Sequence, residues 1–383
     1  MNCRAQTPIQ YATITTVIAL LTPTLFTSLR ALGQSDTPIL IESAEIAPQE
    51  CGVELTPEQA QIAAYLESIG AYDPPDAQPR FVMQVPVTLH VLRRDNGTGG
   101  LSATQAEDAL DAANVLWEST GIQFFPEQPV RFINNTSLFN IDNEFELTIL
   151  WSTDVIQDSV NVYFVNQLTS LDGGSNCGIA SFSFVPVQGV TVANGCTPSQ
   201  GNSETFAHEL GHYFDLYHTH ETAVGIECPD GSNCNVAGDL VCDTPADPRL
   251  NIPGMLSGCS YAGTGTQCGD PYSPDPTNVM SYAGSCRNRF SYAQGVRAAT
   301  TLNNIRTNLV SAGGNPSVMW VDFAAPGGGN GSYASPYNTL AAGVSNVGSG
   351  GRVVFKPGST NETILISNPV FLDSFQGSAI VGN

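Results

Sequence analysis

Basic side chains are scarce in this chain. Only 13 Lys and Arg stand against 35 Asp and Glu in 383 residues, a formal charge of −22. That imbalance excludes the cationic footprint of a nucleic-acid binder. The 42% hydrophobic content in turn excludes a disordered polyanion. Past residue 32 no run is apolar enough to span a bilayer. No Gly-x-Ser-x-Gly elbow is accompanied by a credible base, so serine and cysteine hydrolase chemistry lacks support. What the chain does carry is 37 Gly and 25 Pro, which point to a strand- and loop-rich fold with few long helices, and enough length for two or three domains.

Residues 1–33 read as a cleaved signal peptide: Arg4, an apolar stretch from Ala12 to Leu29, then small residues before Gln34. A membrane anchor is the competing reading, and Pro23 and the threonines favour cleavage. The expected product is secreted or cell-surface, with no stable membrane insertion. Export makes the ten cysteines informative. Cleavage removes Cys3, eight cysteines from Cys177 to Cys286 are sufficient for four bridges, and Cys51 is left over.

Residues 34–84 are acidic, hold a short helical pattern from Glu58 to Leu66 and end in a Pro-rich linker reaching Arg80. From Val85 the alternation of Val87, Leu89 and Val91 predicts a strand. Ser102 and Gln105 then form a capping box for a helix to about Ser119. Phe145 to Leu150, Val160 to Val165 and the segment Ile179 to Val192, with a turn at Gly189, read as further strands. A mixed α/β layer is the expectation for residues 85–312.

Four of the five histidines fall in Ser203–His220. In His208-Glu209-Leu210-Gly211-His212 the two histidines lie one turn apart on one helical face, so both imidazoles can meet one Zn²⁺, while Glu209 can reach a water on it. His218 can complete three protein ligands if the chain turns sharply near Asp215, leaving a fourth position open for catalysis. A structural helix is the bland reading of the short motif, and His218 at the extended spacing weakens it.

On these residues the chain resembles the metzincin metallopeptidases. The Leu216-Tyr217-His218-Thr219 context narrows the resemblance to the pappalysin family. Asp215 departs from the family's turn glycine, and Asp tolerates the left-handed conformation at a cost in strain. Asn278-Val279-Met280-Ser281-Tyr282 looks like the family's Met-turn, which implies Met280 packed beneath the histidines and Tyr282 donating to a developing oxyanion. The segment Phe290 to Arg297 is similar to the opening of the family's last helix, here with a Ser291/Gln294 capping box and Val296, Leu302, Ile305 and Leu309 as its apolar face. The resemblance also implies that an edge strand in 177–192 pairs with an extended peptide substrate.

Three further expectations follow. The loop from Cys228 to Asp247 is rich in hard oxygen donors, so Asp230, Asp243 and Asp247 are calcium candidates, against a solvated loop held by disulfides alone. Cys51-Gly52 looks like the switch of latent metzincins, in which a pro-segment thiolate fills the open zinc position; a disulfide to another chain or extension is the competing reading. Residues 313–383 resemble the start of a right-handed parallel β-helix, from an Asp322–Tyr337 opening through a short helix Thr339–Val344 and strands at Val353–Phe355, Thr363–Ile366 and Val370–Leu372. They are expected to be a partial module offering surface or glycan contact.

The function expected is a secreted zinc endopeptidase, in which Glu209 assists attack of zinc-bound water on a peptide bond and Cys51 keeps the precursor latent. The competing class is an inactive or weakly active surface-binding protein with structural calcium.

Overall fold

The computed structural model describes residues 51–72, 83–126, 128–169, 174–309, 318–331, 335–348, 351–367, 369–374 and 378–382. The leader with Cys3, the linker holding Arg80 and the boundary at 313 lie outside the described residues. The chain opens with α1 (Pro57–Ser68), started by a capping box between Thr56 and Gln59 with Pro57 at the first helical position. Next come β1 (Met83–Arg93), α2 (Ala103–Trp117), β2 (Ile122–Pro126), β3 (Arg131–Asn134) and α3 (Glu144–Leu150). The strands β4 (Val160–Val165), β5 (Gly178–Ala180) and β6 (Val190–Ala193) lead into α4 (Thr205–Tyr213), and α5 (Tyr292–Asn304) follows a long loop region.

The sheet runs in the order β2-β1-β4-β6-β5, with β3 also pairing to β1. Its pairs are parallel except the last, where β5 lies antiparallel to β6 at the end of the sheet. Period-two alternation places Val85, Val87, Leu89 and Val91 of β1 on one face, in a core with the apolar stripe of α2, with Phe206 and Leu210 of α4 and with Leu302 of α5. The indole N–H of Trp117 donates to Ala207 O at 3.1 Å and so fixes α2 against α4. The other face carries His90 stacked on Tyr163, at 4.5 Å between centroids, beside a second cluster containing Leu92, Leu147 and Leu150.

One expectation for the catalytic region is wrong. Phe145 to Leu150 is helical, because the Asn143 side chain accepts the Glu146 N–H as an N-cap and leaves Leu147 and Leu150 facing the core, a spacing of three that suits a helix. The capping boxes of Ser102 and Ser291 form as expected.

Eight cysteines pair as Cys177–Cys196, Cys228–Cys268, Cys234–Cys242 and Cys259–Cys286, and Cys51 is free and buried. Three of these bridges fall in residues 228–286, where regular structure is limited to two-residue strands and a 3₁₀ turn. Cross-links there supply what secondary structure does not.

In the C-terminal segment β7 (Val318–Val321), β8 (Arg352–Phe355) and β10 (Phe371–Ser374) pair in parallel, with α6 (Leu340–Asn346) between the first two. A second parallel pair joins β9 (Gly358–Thr360) to β11 (Ala379–Val381). Val321, Leu340, Val353 and Phe355 form their core. Thr363–Ile366, expected as a strand, is irregular. Ile364 in it packs against that core, while Leu365 is 92% exposed and the run pairs with no strand among the described residues. No helix among the described residues is long and apolar enough to cross a membrane.

Candidate active site

Every residue of α4 is buried, unlike the one-sided burial of a surface helix. The helix ends in a Schellman arrangement: the Leu216 N–H donates to Gly211 O at 2.9 Å and the Asp215 N–H to His212 O at 2.9 Å. Asp215 takes the left-handed position at φ 62 that glycine usually fills. Its extra cost, about 1–2 kcal/mol, is offset by three partners. Its Oδ1 accepts the Ser183 N–H at 2.8 Å, its Oδ2 accepts the Tyr72 hydroxyl at 3.4 Å, and its carbonyl accepts Arg297 Nε–H at 2.8 Å. The departure from glycine therefore leaves the turn intact.

That turn delivers His218 to the two helical histidines. The Nε2 atoms of His208, His212 and His218 lie 3.0–3.2 Å apart. The Nδ1 of His208 donates to Val279 O at 2.7 Å, and that of His212 to Leu216 O at 2.8 Å. A carbonyl only accepts, so the proton of each ring sits on Nδ1 and the Nε2 lone pairs face one another with no proton between them. Burial holds His212 down to about 3, and burial followed by the charge of His212 holds His208 and His218 well below the usual imidazole range. Three neutral imidazoles converge on one point. Nitrogens bound tetrahedrally to one Zn²⁺ at 2.0–2.1 Å lie about 3.3–3.4 Å apart, so the donor set fits this metal.

Cys51 completes the group: its sulfur and the three Nε2 atoms all fall within 4.8 Å of one another. The thiol donates to Glu209 Oε2 at 3.5 Å, leaving Oε1 buried without a partner. Burial pushes Glu209 up to about 8, eased by Cys51 and Arg287. Burial, then the nearby Glu209, raises the thiol well above its ordinary value. Gly178 of β5 lies directly over Glu209: a Cβ there would come 2.5 Å from Oε1, so only glycine leaves the carboxylate room.

Met280 underlies the helix as expected. A Cβ on Gly211 would come 2.3 Å from its sulfur, so the absence of a side chain at 211 is what lets the two approach. The Met280 N–H donates to Asn278 Oδ1 at 2.8 Å, and Asn278 exchanges amide hydrogen bonds with Gln294 of α5. Tyr282 stands 4.6 Å from the His218 ring between centroids, and its hydroxyl donates to Cys51 O at 3.0 Å.

The three calcium candidates are not brought together. Asp230 accepts the Ser232 N–H within its own turn, Asp243 accepts the Ser291 hydroxyl and the Ala293 N–H at the start of α5, and Asp247 accepts the Thr219 hydroxyl and the Arg249 N–H. Each carboxylate serves a separate local structure. Sequence reasoning instead missed Glu227 and Asp239, both buried. Burial pushes Glu227 to about 7 and Asp239 well above the carboxylate range, each Asp239 oxygen accepts the Thr244 hydroxyl, and Glu227 Oε2 has no hydrogen-bond partner. Also missed was Arg287, buried with Nη1 3.3 Å from His208 Nδ1. None of the three sits in a pattern that marks a site in sequence.

Comparison with known proteins agrees with the geometry. The family model described as Peptidase_M43, pregnancy-associated plasma protein-A, matches residues 151–303, which include the three histidines, Glu209, Met280 and Tyr282. An extracellular metalloprotease of Verticillium alfalfae is 27% identical over 280 residues, covering 69% of this chain and 94% of that protein. One of Pyricularia oryzae is 28% identical over 263 residues, covering 65% and 85%. Among solved structures, a promirolysin mutant of Tannerella forsythia shares the fold with a TM-score of 0.50 at 20% identity, covering 68% of this chain and 97% of that one.

Proposed function

Starting from a chain that is a metalloprotease, we propose that it is a secreted zinc endopeptidase made as a latent precursor, with residues 34–84 as pro-segment and 85–312 as catalytic domain. The observation that carries this reading is the meeting of three imidazole Nε2 atoms, 3.0–3.2 Å apart, beside a buried carboxylate. His208, His212 and His218 would hold the zinc, which supplies Lewis acidity toward a carbonyl and a water acidified into the neutral range.

The other steps belong to the chain. Glu209, raised by burial toward neutral pH, is suited to take a proton from water and return it to the leaving amine. The Tyr282 hydroxyl, which donates to Cys51 O in the precursor, would donate to the developing oxyanion in its place once that segment leaves. The end strand β5 offers backbone groups to an extended peptide, and the pro-segment already uses one: the Gly52 N–H donates to Gly178 O at 2.8 Å. Cys51 places its sulfur among the ring nitrogens, where a thiolate would serve as fourth ligand and keep water out.

Latency has a second anchor farther along. Glu67 pairs with the buried Arg297, whose guanidinium lies 4.0 Å from the Tyr72 ring, and Tyr72 reaches Asp215. In the same reading a structural calcium ion would be held at Glu227, whose Oε2 is buried without a partner, with the buried Asp239 beside it, rather than at Asp230, Asp243 and Asp247. The parallel pairs after residue 318 support the opening turns of a β-helix.

The test is Glu209→Ala in processed protein. Cleavage of an unfolded protein should fall by about 10²–10⁴-fold, the usual worth of a general base, with zinc content unchanged. Equal cleavage by the variant would refute the mechanism.

A further inference from the structure

Beside His218 opens a cavity of about 660 Å³, lined by His220, Thr219, Arg249 and, from the pro-segment, Glu54 and Leu55. We propose that Arg249 is a specificity-determining residue of this peptidase, selecting substrates with an Asp or Glu side chain within three positions of the scissile bond. The proposal rests on the peptidase reading above and adds a substrate class to it.

Three observations carry it. The first is position. Glu54 follows Cys51 by three residues, a span of at most about 10–11 Å in extended chain, so its carboxylate marks a subsite next to the reacting centre. Arg249 Nη2 stands 3.9 Å from Glu54 Oε1, and its guanidinium lies 5.4 Å from the centroid of the Tyr282 ring. The pro-segment thus sets an acidic side chain at the open edge of the cavity against a cation in its wall.

The second is how Arg249 is held. Its backbone adopts the left-handed conformation at φ 73, disfavoured for a side chain of this size. Its N–H donates to Asp247 Oδ1 at 2.7 Å, while Asp247 Oδ2 accepts the Thr219 hydroxyl at 2.6 Å, one residue past His218. The chain spends strain to fix this arginine against the segment that bears the third histidine.

The third is the charge left when the pro-segment departs. Carboxylates also line the cavity, and left free they would favour a basic side chain; the two nearest the His218 segment, Asp247 and Glu221, are engaged by their own surroundings. Asp247 is used as just described, and Glu221 Oε1 accepts the Thr222 and Ala223 N–H groups at 2.7 Å each. Among the described residues Arg249 has one ion pair, and its partner is Glu54. Release of the pro-segment therefore leaves the guanidinium in the cavity without its ion-pair partner, ready for the carboxylate of a substrate.

The full chain, activated by limited tryptic cleavage in the linker at Arg80, is given a peptide library and then matched peptides carrying Asp, Asn or Lys at the selected position. Wild-type enzyme should enrich Asp and Glu at one position within three of the cleaved bond. Arg249→Glu should raise the KM for the Asp peptide by on the order of tenfold and lower it for the Lys peptide. Arg249→Lys should restore the acidic preference, which a misfolded variant would not. Cleavage with no acidic preference, with a basic preference, or with an acidic preference that survives Arg249→Glu would overturn this proposal alone. Failure of the wild type to cleave any peptide would overturn it together with the peptidase reading.

Discussion

The histidine centre and the acidic loop that follows it are built from opposite logic. In residues 208–218 polar atoms are buried and aimed at one point with nothing of the protein's own between them. In residues 228–247 the carboxylates chosen from sequence are each satisfied where they stand, by a turn N–H, a helix start or a neighbouring hydroxyl. Donor-rich composition is common to both regions. The difference lies in whether the donors are consumed locally, since a buried acceptor left unpaired costs the full desolvation of that group unless a ligand compensates it. By that criterion the acceptor left over in the loop is Glu227 Oε2, buried without a partner.

The largest effect that would sharpen this contrast comes from Cys51→Ser. If the sulfur belongs to the histidine centre, the unprocessed variant should cleave peptide at a rate approaching that of the processed enzyme, whereas the wild-type precursor stays near background. A variant as silent as the precursor would place latency in the Glu67–Arg297 and Tyr72–Asp215 contacts instead.

A smaller effect tests the loop. Glu227 is held at about 7 against an ordinary 4.5 by burial, so the folded state binds its proton more tightly than the unfolded one. The stabilisation from that proton is full below about 4.5 and is lost as pH rises through 7. In calcium-free protein, stability should therefore fall across this window by on the order of 1 kcal/mol, and Glu227→Gln should flatten the slope. Added calcium should reverse it, because a cation favours the ionised carboxylate. Denaturant midpoints at pH 5 and pH 7, with and without calcium, decide the matter; an unchanged slope would return the loop to disulfides alone.

How much was legible follows from how local the cause is. The pair His208 and His212 is one helical turn, so sequence spacing alone implies their meeting. The capping boxes at Ser102 and Ser291 are equally local and were read with their partners. The count of disulfides followed from parity, but their pairing did not, because it depends on how the loops cross. Asp215 looked like a liability, since its compensation comes from Ser183, Tyr72 and Arg297, 32, 143 and 82 residues away. Phe145–Leu150 reads as a strand because Phe145, Leu147 and Ile149 alternate with Glu146 and Thr148 over a stretch too short to show a helical period, and it is the Asn143 cap that makes it a helix. Glu227 was invisible for the same reason as Arg249: its meaning lies in burial and neighbours, not in spacing.

The account stands most directly on metal content and ligation of the unprocessed chain. It predicts one equivalent of zinc, lost in His212→Ala, and, after replacement by cobalt, a thiolate-to-metal charge-transfer band that disappears in Cys51→Ser while the metal stays bound. Zinc retained at full stoichiometry by His212→Ala, or cobalt protein with no thiolate band, would contradict the shared centre of His208, His212, His218 and Cys51 on which the reading rests.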